Sequence, residues 1–174
     1  MNQPADHPTA TLVAGVVPDY GVRVVEAAVG LARSFRGPTR IVCAHVNTGR
    51  YVVHEHPDGS VSSAPIDPDV ADSAPAPFPV TLRHQLESVF ALSSVAGEMR
   101  ELAGDPATAL SHLAELMHAV MIVVGTRRPG LRGVVDEFFA GSVAAHLAHR
   151  QHRPVLVVPQ APTVSGPLPW EHQA

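Results

Sequence analysis

Residues 125 to 143, GTRRPGLRGVVDEFFAGSV, gather four glycines and three arginines directly behind the apolar run AVMIVVG. Glycines let backbone N–H groups approach an anion closely, and a helix start adds the positive end of a dipole. Gly141 and Ser142 carry amides and a hydroxyl suited to that task. Arg127 and Arg128 carry bidentate donors for phosphate oxygens, whereas Asp136 and Glu137 in the same stretch oppose an anion. Pro129, Gly130 and Gly133 also suffice to build a plain turn. A phosphate loop and a simple strand-to-helix connection therefore both fit this spacing.

The chain contains no lysine; all 12 of its basic residues are arginine. A Walker-type loop needs a lysine to reach the β- and γ-phosphates, and Schiff-base chemistry needs an amine. Both are excluded. His146, His149 and His152 recur every three residues, but no carboxylate or cysteine completes a ligand set, so they read as a solvated helical face. The pair in HEH, His54 and His56, falls on one side of an extended segment and reads as loop. Ser142 sits in AGSVA, which lacks the G-x-S-x-G elbow of hydrolases. Asp105 is explained as a helix cap. These residues form no catalytic constellation, and the expectation is a protein that is not an enzyme.

The elements that must position the glycine stretch alternate in type. TATLVAGVV (9–17) and TRIVCAHV (39–46) are apolar runs of strand length, as parallel strands covered on both faces require. Between them, Val22 to Phe35 places Val25, Ala28, Val29 and Ala32 on one helical face, and Gly37 with Pro38 stops the helix. Leu82, Leu86, Val89 and Phe90 mark a second helix, and residues 97 to 104 a weaker strand. GDPATALSHLAELM then supplies Asp105 as N-cap, Pro106 at the first helical position, and a Leu110, Leu113, Met117 stripe. Residues 119–124 form the most apolar strand. A helix from about Asp136 to Arg150 carries Phe139, Val143 and Leu147, and residues 153–159 form the last strand. Five strands and four helices in this order predict an α/β fold, an open, doubly wound five-stranded parallel sheet with helices on both faces.

Residues 57–79 break the rhythm with six prolines and four aspartates, and the expectation is an insertion outside the core. One domain over residues 1–160, followed by a loose proline-rich tail at 161–174, suits a chain of 174 residues. A net charge of −4 gives no footprint for nucleic acid, and no apolar run reaches the ~20 residues of a membrane span. The N-terminal MNQPADHPTATL lacks a basic segment ahead of a long apolar one, so no secretory signal is expected. Cys43, the single cysteine, lies in an expected strand and cannot form an internal disulfide. A cytoplasmic protein is expected.

The C-terminal third, VMIVVGTRRPGLRGVVDEFFAGSVAAHLAHRQHRPVLVVP, resembles the universal stress protein family in its strand, glycine loop, Gly-Ser helix start and closing strand. LVAGVV, RIVCAHV and ELAGDPATALSHLAE extend the resemblance over roughly residues 10 to 160. The resemblance implies an adenine-nucleotide alpha hydrolase-like, Rossmann-like sheet and a homodimer paired through Val155, Leu156, Val157 and Val158. It also divides the family into ATP binders and non-binders. Binders resemble G-x2-G-x9-G-[ST], with an aspartate after the first strand. Gly125 matches the first glycine, and Gly141 with Ser142 the closing pair. Arg128 stands at the second glycine, and the spacing to Gly141 is longer because VVDEFF lies within it. Val17 occupies the aspartate position, with Asp19 displaced by two residues.

By resemblance the cofactor is ATP or a related nucleotide, and the site comprises Gly15, Val46, Gly125, Arg127, Arg128, Gly141, Ser142 and Val143. The expected function is a dimeric stress-response protein that binds this nucleotide weakly as a signal. A nucleotide-free dimeric interaction module of the same family and an ATP hydrolase stand as alternatives.

Overall fold

The computed structural model describes residues 10–69, 77–126 and 143–160. In chain order the elements are β1 (Ala10–Gly15), α1 (Gly21–Ala32), β2 (Thr39–Asn47), β3 (Arg50–Glu55), β4 (Val61–Pro65), α2 (Val80–Ala91), β5 (Ala96–Ala103), α3 (Pro106–Leu116), β6 (Met121–Gly125), α4 (Val143–Arg150) and β7 (Val155–Val158). Five strands form one sheet in the order β5-β2-β1-β6-β7. Its ladders are all parallel, with Leu12 of β1 level with Ile41 on one side and Met121 on the other. The five-stranded parallel sheet expected from the sequence is the sheet observed, and residues 121–125 lie within it rather than at an edge.

Strand alternation sends successive side chains to opposite faces, and two apolar clusters result. Leu12, Ala14, Ile41, Cys43 and Val123 meet α1 through Val24, Val25, Ala28 and Val29, and α2 through Leu82 and Leu86. On the other face Val13, Val42, Ala44, Ile122 and Val124 meet Leu110, Leu113 and Ala114 of α3, and Leu147 of α4. Leu82, Leu86, Leu113 and Leu147 are fully enclosed, and burial of a leucine of this kind contributes about 1.5–3 kcal/mol. Asp105 caps α3 as the sequence implied: its Oδ1 accepts from the Thr108 backbone N–H at 2.9 Å, with Pro106 in the first turn. Phe139, with residues 136–142 of the expected fourth helix, lies outside the described residues, as does the tail.

The segment 57–79 corrects the sequence reading in two places. Residues 61–65 are β4, which pairs antiparallel with β3 as a hairpin, and Phe78 is buried against the α1–α2 face. His54, expected in a loop, lies in β3. Turn chemistry accounts for the hairpin. Gly59 takes φ +78°, a conformation glycine adopts without Cβ strain. The Asp58 carboxylate accepts from the Ser60 backbone N–H and hydroxyl at 3.0 and 2.7 Å. Two long-range pairs then fasten the hairpin: Arg100 of β5 donates to Asp58 at 3.1 Å, and His112 of α3 lies 2.6 Å from Glu55.

Candidate functional site

The chain runs outward from β1 through β2 to β5, then crosses back to β6 on the other side of β1. Strand order therefore reverses between β1 and β6, and the carboxyl ends of a parallel sheet diverge at such a point to leave a crevice. A cleft of about 160 Å3 lies there. Gly15, Val16 and Val17 lead out of β1 into it, Ala44 and Val46 come from β2, Val124 and Gly125 from β6, and Thr126 and Gln160 from the turns after β6 and β7. Pro106 and Leu110 of α3, Val143 of α4, and Tyr20 and Val24 at the start of α1 close the wall. Of the residues that the sequence singled out, Gly15, Val46, Gly125 and Val143 line this cleft. Arg127, Arg128, Gly141 and Ser142 lie outside the described residues.

Two contacts set the shape of the cleft floor. A Cβ on Gly15 would lie 2.8 Å from Leu110 Cδ1, and a Cβ on Gly125 would lie 2.8 Å from Gln160 Nε2. Hydrogen at both positions keeps the strand ends open against α3 and the residue after β7. Gln160 is only 6% exposed. Its backbone N–H donates to Thr126 Oγ1 at 2.9 Å, its carbonyl accepts from Arg23 Nη1 at 2.6 Å, and its Nε2 donates to the Val158 carbonyl at 3.1 Å. No local signal marks Gln160 in the sequence, because one polar residue behind a strand belongs to no pattern.

Val17 stands at the mouth, 51% exposed. Its carbonyl accepts from the backbone N–H groups of Tyr20 and Gly21 at 3.2 and 2.8 Å and so turns the chain into α1. Its side chain accepts nothing. Asp19 is exposed and is not part of the lining, so it does not replace an acceptor at position 17.

The remaining candidates carry less chemistry. Among the described residues no group of three His, Cys, Asp or Glu side chains is placed to hold a metal. His54 and His56 face each other as edge-on rings with centroids 4.8 Å apart. His45 lies 2.8 Å from Glu101, its register partner on β5, a cross-strand pair that the sequence reading did not identify. Cys43 is a core residue, and burial pushes its thiol up to about 12. Burial also raises the Asp105 carboxyl, but the Thr108 side-chain and backbone hydrogen bonds, together with the nearby Arg150 and His146, outweigh it and hold the group below its usual value. No described helix is long and apolar enough to cross a membrane.

A doubly wound sheet with an open cleft at its switch point defines the Rossmann-like class of α/β protein. Within that class, the model of the universal stress protein family matches residues 12–159. The chain belongs to that family. Solved structures agree in fold. A universal stress protein in complex with cAMP is 24% identical, with a TM-score of 0.58 over 89% of this chain and 100% of its own. A universal stress protein from Archaeoglobus fulgidus in complex with dAMP is 21% identical, with a TM-score of 0.52 over 87% and 99%. A family protein from Arabidopsis thaliana with AMP bound is 16% identical, with a TM-score of 0.50 over 88% and 93%. No curated protein matched the sequence.

Proposed function

We propose that this universal stress protein is a cytoplasmic stress-response protein that binds an adenine nucleotide, such as AMP or ATP, in the switch-point cleft. The nucleotide acts as a signal rather than as a substrate. One observation carries the reading: Gly15, Val46, Gly125 and Val143, implied by resemblance alone, line a single cleft at the carboxyl ends of β1, β2 and β6. The relatives in complex with cAMP, dAMP and AMP support the ligand class. In this reading the phosphate lies toward Val143 at the start of the described part of α4, and the base toward Val17 and Val46. The described lining offers apolar contact, the Thr126 hydroxyl, a carboxamide and one titratable group, Tyr20. That set suits holding a ligand more than transferring its protons.

Affinity is modest in this account, because Val17 cannot accept a hydrogen bond from ribose or adenine. Titration calorimetry with AMP tests the reading. Val17 also favours a second reading, a dimeric interaction module that takes no nucleotide. Mass spectrometry of any small molecule retained through purification separates the two. In both readings the unit is a homodimer joined through β7.

A further inference from the structure

Gln160 has four groups able to hydrogen-bond, and three are engaged. Its N–H, carbonyl and Nε2 bond to Thr126, Arg23 and Val158. The Val158 carbonyl also settles which end of the carboxamide is which, since an oxygen there would face another acceptor. The fourth group, Oε1, is buried without a partner among the described residues. An unsatisfied buried acceptor is destabilising, and this one belongs to a side chain of the cleft wall beside Gly125. The wall thus holds an unpaired acceptor that is itself closed to solvent, so a ligand donor reaches it by turning the carboxamide, while Arg23 and Thr126 pin the backbone behind it.

A ligand phosphate, or a ring nitrogen of adenine, only accepts and would be repelled by Oε1. The donors on an adenine nucleotide are its sugar hydroxyls and its exocyclic amine. Gln160 sits with Gly125, Thr126 and Val143 on the β6–β7 side of the cleft, away from Val46 on β2. With the phosphate toward Val143, the sugar is the part of the ligand that covalent connection brings to this side. We infer that Gln160 is a specificity-determining residue whose Oε1 accepts a hydrogen bond from a ribose hydroxyl, so that the cleft selects ribonucleotides over nucleotides stripped of sugar hydroxyls. The inference rests on the proposed nucleotide reading and adds to it the part of the ligand that is recognised. It supplies an acceptor where Val17 provides none.

The test compares AMP, 2′,3′-dideoxy-AMP and inosine monophosphate by titration calorimetry on the native protein and on Gln160→Met, which keeps the side-chain length. A net hydrogen bond corresponds to about a 3- to 10-fold preference. Native protein is expected to favour AMP over the dideoxy compound by that factor, and Gln160→Met to bind the two within a factor of about two. Gln160→Leu also removes the acceptor without adding a charge and should likewise bind the two within a factor of about two, so the ratio remains readable if Gln160→Met folds poorly. AMP binding without a native preference for sugar hydroxyls overturns the inference and leaves the nucleotide reading standing. So does a preference that survives in Gln160→Met, or discrimination against inosine monophosphate alone, which would assign the donor to the amine. Absence of AMP binding to native protein overturns the nucleotide reading itself.

Discussion

Gly125 ends β6 directly beneath Gln160: a Cβ built on the glycine falls 2.8 Å from Gln160 Nε2 and 3.2 Å from its Cδ. The neighbour is the far end of a side chain, so an alanine is accommodated by displacing the carboxamide rather than the strand. Gly125→Ala is therefore expected to weaken AMP binding about tenfold while costing no more than about 1–3 kcal/mol in stability, the range for overpacking. Calorimetry paired with thermal unfolding checks both halves. Native-like affinity in a folded Gly125→Ala protein would mean that the ligand does not depend on this part of the wall.

Val17→Asp restores an acceptor at the mouth of the cleft. The position is half open to solvent, so a carboxylate there escapes the cost of burial. A charged hydrogen bond to a neutral ligand group contributes about 1.5–3 kcal/mol, and the variant should bind AMP at least tenfold more tightly than native protein. Unchanged affinity by the same titration would show that nucleotide does not pass this side of the mouth.

The outer edge of β7, the last strand of the sheet among the described residues, gives the dimer prediction. The carbonyls of Pro154 and Val158 accept from Ile122 and Thr126, so the alternate residues Val155 and Val157 direct their backbone groups away from β6. Val157 is also exposed, β7 has no outer neighbour among the described residues, and an apolar edge of this kind invites pairing that a two-fold axis can close. Native protein should scatter light as a dimer at tens of micromolar. Val157→Pro removes an edge-facing N–H without disturbing β6 and should be a folded monomer. A dimer indifferent to that substitution would place the interface elsewhere.

Asp58 ties the hairpin to the sheet. The Ser60 hydroxyl and backbone N–H, with Arg100 beside them, hold its carboxyl well below the usual carboxylate range. A lowered folded-state value gives stability that is complete above the unfolded value, about 4, and lost only as pH falls through the folded value. Asp58→Asn should therefore speed amide exchange across residues 50–65. The native-minus-variant difference should be equal at about pH 5.5 and about pH 8, since the Glu55–His112 pair is common to both proteins. Hydrogen exchange with mass spectrometry reads it; a difference that shrinks toward pH 5.5 contradicts the assignment to Asp58.

Much of the architecture was legible because it depends on local pattern. Val25, Ala28, Val29 and Ala32 share a helical face in the sequence and are buried together on α1. Asp105 and Pro106 announce the start of α3, and the apolar run before Gly125 announces a covered strand. At the hairpin, composition and turn chemistry point in different directions. Asp58-Gly59 between YVVHE and VSSAP is a hairpin signal, but the surrounding prolines and aspartates argued for an insertion without structure. Its stabilising partners, Arg100 and His112, lie far along the chain. The cleft was half legible. Gly15, Val46, Gly125 and Val143 came from resemblance, whereas Gln160 gains its meaning only when β7 is laid beside β6.

Nucleotide binding in the switch-point cleft is the central claim, and titration of AMP into native protein measures it most directly. The account predicts saturable binding at one site per chain, with a dissociation constant of about 1 μM or weaker, no more favourable than about −8.2 kcal/mol. No detectable binding at millimolar AMP would contradict it.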